Sequence, residues 1–189
     1  MTAVEDPAAV VARARVVQGR LVESCSTIRR ETASIVDDGE RAARRRRLLA
    51  RVCADATAEL ARLRGEYETA VGRRHTKLLA AAFDHGDVDE DRDRRRALAA
   101  RLTGPAAVDR EVSAALWRRP ADEVRVVDAL AVAYERGWRD VLEGYAATHR
   151  GWIAARVAQL LAFERGAARV SPALFAVAVP DELVEELVA

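Results

Sequence analysis

Apolar and small residues recur three and four apart along most of the chain, a spacing that predicts helix nearly throughout. Val10, Ala14, Val17, Leu21, Cys25, Ile28, Thr32 and Ile35 fall on one side of a first helix. It starts at Asp6-Pro7, an acidic N-cap followed by proline, whose missing N–H costs nothing in the first turn. Asp37-Asp38-Gly39 reads as a turn, the alternative being a helix that runs straight through. A second helix is predicted from Glu40 to about Asp84, with a seam at Leu49, Val52, Ala56, Leu60, Leu63, Tyr67, Ala70, Leu78 and Ala81. After a loop at about 85–88, a third helix carries Glu90–Arg94 and Asp91–Arg95 in the i,i+4 order that supports an exposed helix. Gly104-Pro105 kinks or splits it, and the piece from Ala106 to Arg118 carries Val108, Val112, Leu116 and Trp117.

A fourth helix is predicted from Pro120 to Arg165, where Gly137-Trp138, Gly144-Tyr145 and Gly151-Trp152 repeat every seven residues. On one continuous helix the aromatics form one stripe and the glycines another. Glycine inside a helix costs about 0.8–1 kcal/mol relative to alanine, so the row predicts close approach of a second backbone, with rings closing over the gap. Gly65 and Gly72 echo it in the second helix. The stripe extends through Val127, Ala131, Tyr134, Val141, Thr148, Ala155 and Phe163. Packing within the chain is the plainest reading of it, and a groove for a partner helix is the sharper one. Beyond Gly166, Ser171-Pro172 caps a short apolar piece, and Pro180-Asp181-Glu182 caps another with Leu183 and Leu187 on one face. The fold expected is all-α: an elongated antiparallel bundle of about four main helices, two of them long, over residues 1–170. Residues 171–189 form a C-terminal docking tail.

Composition narrows the class. Half of the 189 residues are apolar, but only 5% are aromatic and 32% are charged, a profile of long helices around a thin core. All but one of the Lys+Arg residues are arginine and asparagine is absent, a bias that avoids AT-rich codons and makes the arginine count partly a codon effect. The net charge of +1 makes no strong bid for DNA or an anionic membrane. No signal peptide or membrane-length apolar run is apparent, and two cysteines suggest neither a disulfide framework nor a zinc site, so a cytoplasmic protein is expected. If the turn near Asp37 is real, Cys25 and Cys53 face each other across an antiparallel hairpin as two small buried side chains.

Candidate chemistry is sparse. Asp87, Asp89, Asp91 and Asp93 alternate like the start of a calcium loop, but Arg92 stands where that loop needs glycine and Leu98 where it needs glutamate. His75, His85 and His149 lack zinc or diiron spacing, and no phosphate loop or nucleophile elbow occurs. No catalytic, metal or cofactor residue is assigned. Eight arginines between Arg41 and Arg64 face only Asp55 and Glu59, while the tail is acidic. Arg44, Arg45, Arg47 and Arg51 form the basic patch, whose neighbours sweep most of the way round a helix. The expected function is a non-catalytic one acting through protein–protein contacts or self-association, as an adaptor, scaffold or complex subunit. Trp138, Tyr145, Trp152, Phe175, Leu183 and Leu187 are the candidate anchors. Alternatives are a nucleic-acid-associated protein using the basic segment and a helical metal-dependent enzyme at the Asp84–Asp93 loop.

Overall fold

The computed structural model of the chain describes residues 6–84, 88–118 and 121–184, so Pro120, His85, Asp87 and Leu187 lie outside the described residues. The fold is all-α, with eight α-helices, one 3-10 helix and no strand among the described residues, where about four main helices were expected.

The first helix, α1 (Pro7–Thr32), begins as its sequence dictates: the Asp6 carboxylate accepts the Ala8 N–H at 3.1 Å and Pro7 occupies the first turn. Its buried residues are Val10, Ala14, Val17, Leu21, Cys25, Ile28 and Thr32, the predicted stripe up to the helix end, with Ile35 half-buried just beyond. The long helix α2 (Asp38–Phe83) follows. The turn between them occupies residues 33–37 rather than 37–39, because Asp37 caps α2 by accepting the Glu40 N–H at 2.7 Å and so draws Gly39 into the first helical turn. Two arginines complete the end of α1, Arg41 donating to the Ile35 carbonyl at 3.1 Å and Arg45 to the Arg29 carbonyl at 3.4 Å. These cations lie against carbonyls of the last turn of α1 and of the chain just beyond it, where cations are favoured. A helix running through is thereby excluded.

The chain forms two compact units, residues 1–72 with 170–189 and residues 73–169, the division falling inside α2. In the first unit α1 and α2 pair antiparallel, since Thr32 meets Arg45 while Arg13 meets Glu66. Leu49, Cys53, Ala56, Leu60 and Leu63 of α2 complete the core with the α1 stripe. The tail belongs to this unit, as the 3-10 helix Pro172–Phe175 and, after a short extended stretch, a single turn.

The second unit holds the end of α2 and five short helices: α3 (Val88–Arg101), α4 (Pro105–Leu116), α5 (Glu123–Glu135), α6 (Arg139–Thr148) and α7 (Trp152–Ala168). The last turn of the chain, Asp181–Val184, is α8. Gly104-Pro105 splits rather than kinks the third predicted helix. Every residue from Val126 to Ala133 is buried, so α5 is enclosed on all sides and centres the unit.

The single helix expected from Pro120 to Arg165 is three helices. Gly137 (φ 71°) and Gly151 (φ 122°) lie in the turns between them, and only Gly144 is helical. The end of α5 is a Schellman stop: the Gly137 N–H donates to Tyr134 O at 3.0 Å and the Trp138 N–H to Ala133 O at 2.9 Å. The expected close backbone approach is absent, since a methyl group added at Gly65, Gly72, Gly137, Gly144 or Gly151 would meet nothing within 4 Å. Thr148 and Ala155, placed on the expected stripe, are exposed because each turn resets the helical phase. No helix among the described residues is long and apolar enough to cross a membrane.

Candidate functional site

The heptad aromatics separate by burial. Tyr145 is core, stacked on His149 at 4.3 Å, and burial pushes its phenol above the usual tyrosine range. Trp138 is half-buried at the start of α6, with the Arg136 guanidinium 5.1 Å from its ring centroid. Trp152 remains 39% exposed at the start of α7, where its Nε1 donates to Glu123 at 3.0 Å and Arg156 lies 4.8 Å from the ring.

The most exposed ring is Trp117, at 86%, which the sequence pattern had grouped with the core residues of its helix. It follows the last residue of α4, and the Asp122 N–H donates back to Ala115 O at 3.1 Å to start α5 at once. Trp152 is thus tied through Glu123 to the first turn of α5, where Val124 is also 40% exposed. Trp117 could have been suspected from its position, one residue before an arginine pair and proline that end the helix.

The basic segment divides. Arg44, Arg47 and Arg51 are exposed and, at i, i+3 and i+7, share one stripe. Arg45 is turned inwards, donating to the Thr32 hydroxyl at 2.9 Å. It therefore belongs to the hairpin closure and not to an open patch.

In the acidic stretch Glu90 and Asp93 lie in water, Glu90 paired with Arg94 at 3.2 Å as expected, whereas Asp91 is withdrawn from it. Asp91 is 4% exposed and pairs with Arg94, which also reaches Asp128 at 3.1 Å, and Arg95 reaches Asp128 at 3.2 Å. Asp128, 3% exposed in the middle of α5, is a residue that motif searching missed. Its signal was a lone charge inside Val126-Val-Asp-Ala-Leu-Ala-Val-Ala133. A cleft of about 430 Å³ beside this cluster is lined by Asp84, Asp91, Arg95 and Glu135 among others, with both signs of charge facing it. Among the described residues no group of His, Cys, Asp and Glu is arranged to hold a metal ion.

A second polar knot joins four helices. His75 Nε2 lies 2.9 Å from both the Tyr134 hydroxyl and Glu164 Oε1, Tyr134 donates to Glu164 at 2.5 Å, and Arg139 pairs with Glu164 Oε2 at 2.8 Å. Burial and the hydrogen bond to the carboxylate push the Tyr134 phenol up to about 12. Burial alone would raise Glu164, but hydrogen bonds from Tyr134, His75 and Arg139 hold it below the usual carboxylate range. A tyrosine kept protonated beside a carboxylate kept ionised fixes one hydrogen-bond direction, which suits a structural lock.

The tail lies along α1. Gln18 Nε2 donates to Leu174 O at 3.2 Å and to Ala176 O at 2.6 Å, and Phe175 meets Tyr67 with ring centroids 5.4 Å apart. Arg29 grips Glu182 with two bonds of 2.7 and 2.8 Å, which hold that carboxyl at about 2. Leu174, Phe175, Val177 and Leu183 pack half-buried on the first core. Cys25 and Cys53 are both buried thiols that face each other as expected, and burial first, then Cys25, pushes the Cys53 thiol up. That makes Cys53 a poor nucleophile at neutral pH.

The chain matches no family model, and comparison with curated proteins and with solved structures likewise found no match.

Proposed function

We propose that this chain is a non-catalytic helical protein that works by binding another protein, as an adaptor, scaffold or complex subunit. The observation that carries the reading is the exposure of two tryptophans of the second unit, Trp117 after the end of α4 at 86% and Trp152 at the start of α7 at 39%. Large aromatics left in water are costly to a monomer and dominate the energetics of interfaces that cover them. Each has charged neighbours, Arg118 next to Trp117 in the chain and Glu123 and Arg156 against Trp152, able to orient a partner by hydrogen bonds once water is expelled. A second reading, contact with a nucleic-acid backbone, is favoured by the stripe of Arg44, Arg47 and Arg51.

The test is quantitative capture from host cells with the wild-type chain, with Trp117→Ala/Trp152→Ala, and with Arg44→Glu/Arg47→Glu/Arg51→Glu as baits. The protein-contact reading expects a polypeptide retained by the wild type and the arginine variant but lost by the tryptophan variant, and re-bound as a purified protein. Nuclease-sensitive capture lost only by the arginine variant supports the second reading and sinks the first.

A further inference from the structure

Residues 171–184 sit on the first unit as a bound peptide would, and we infer that their seat is a docking site for a peptide of a partner protein with the same apolar start and acidic end. The chain's own tail is then the resident competitor. This deepens the contact function proposed above, but it concerns a different surface, so the tryptophan test and the test below fail separately.

The seat recognises three things. Gln18, through one amide nitrogen, holds the carbonyls of Leu174 and Ala176 where the tail leaves its 3-10 helix, a contact with main chain that does not depend on the side chains there. Tyr67 receives the Phe175 ring, beside shallow places for Leu174, Val177 and Leu183. Arg29 receives the Glu182 carboxylate as a fork, and the positive charge of Arg45 also favours that carboxylate. Charge is complementary beyond these atoms, for Asp181 also acts on Arg29 and the hairpin end that carries Arg29 and Arg45 is rich in arginine. The partner peptide so specified reads Leu-Phe-x-Val, four residues of any kind, then Glu-Leu.

The resident is held weakly enough to leave. No residue of the 3-10 helix or of α8 is buried, so its apolar side chains are only half withdrawn from water. Its occupancy depends on tethering, which supplies an effective concentration of about millimolar. A free peptide of the same pattern must compete against that concentration, whereas a chain whose own tail has been spoiled has an open seat.

The test uses full-length protein and a fluorescein-labelled peptide of residues 171–189, read by fluorescence anisotropy. Phe175→Ala/Glu182→Ala in the full chain should bind the peptide at least about tenfold more tightly than the wild type does. Adding Arg29→Glu to that variant should abolish binding, and a peptide carrying Glu182→Arg should restore it. Glu182→Ala alone, which alters only a surface ion pair, serves as a second open-seat chain. The inference is overturned if open-seat chains with native helix content take up no peptide, bind it no better than the wild type, or are indifferent to Arg29→Glu. It is equally overturned if light scattering finds a wild-type dimer that Glu182→Arg converts to monomer, since the seat would then hold the tail of a second copy.

Discussion

Asp128 is the residue on which the second unit turns. It sits within eight consecutive buried positions of α5, and among the described residues its charge is matched by Arg94 and Arg95 reaching across from α3. The two sides of this contact are unequal. The arginine side chains keep 34% and 17% of their surface in water, whereas that of Asp128 keeps 4%. Removing the carboxylate therefore leaves two cations that still have Asp91 and can swing outwards, while removing both cations takes these partners from two buried anions, Asp128 and Asp91. Breaking a buried pair from the side that strands a charge costs about 3–5 kcal/mol. Arg94→Ala/Arg95→Ala should approach that cost and Asp128→Ala should fall well short of it. Urea denaturation of the variants measures both, and equal losses would show that packing rather than stranded charge governs this helix.

At the scale of elements, three glycines in one heptad register have opposite roles. Gly144 lies inside α6, exposed, with open space where a side chain would go, so Gly144→Ala should stabilise by about 0.8–1 kcal/mol. Gly137 at φ 71° closes the Schellman stop, and alanine there should cost roughly 1–2 kcal/mol. Gly151 at φ 122° and ψ −177° occupies a region nearly exclusive to glycine, with a cost of roughly 1–3 kcal/mol. Thermal midpoints of the three variants test the ordering, and a destabilised Gly144→Ala would restore the close-packed glycine seam that the pattern suggested. The reason the pattern misled is physical. Turns of three residues, 136–138 and 149–151, join helices so short that the seven-residue spacing survives the breaks, and spacing carries no information about the sign of φ. By contrast the start and the buried stripe of α1 were legible, because one stripe and one cap, Asp6-Pro7, decide them locally, although the helix stops at Thr32, before Ile35. The tail's caps at Ser171 and Pro180 were legible on the same ground, and its apolar residues could be named as anchors. Gln18 and Arg29 could not, since nothing local marks them; only the return of the chain after α7 brings Leu174 and Glu182 to them.

At the scale of the whole molecule, the chain holds two separate apolar clusters, one centred on Leu60 and the α1 stripe, the other on Leu130 and the enclosed α5. They differ in kind. The first is a single seam between two antiparallel helices, with a half-buried tail over one side, so each helix contributes only one stripe. The second surrounds a helix on every side and withdraws more apolar surface per residue from water. Burial of apolar surface contributes roughly 25 cal/mol per Å², so the first cluster should be the weaker, even though α2 supplies residues to both. Leu60 and Leu130 are each fully buried, and truncating either to alanine should cost about 2.7–5 kcal/mol in its own cluster. Calorimetry should then resolve two transitions, with Leu60→Ala lowering the first and Leu130→Ala the second. Native-state hydrogen exchange should agree, the amides of α5 outlasting those of α1. If both substitutions instead shift one common transition by the same amount, the helix shared at Gly72–Arg73 couples the clusters into a single cooperative structure, and the chain unfolds as one.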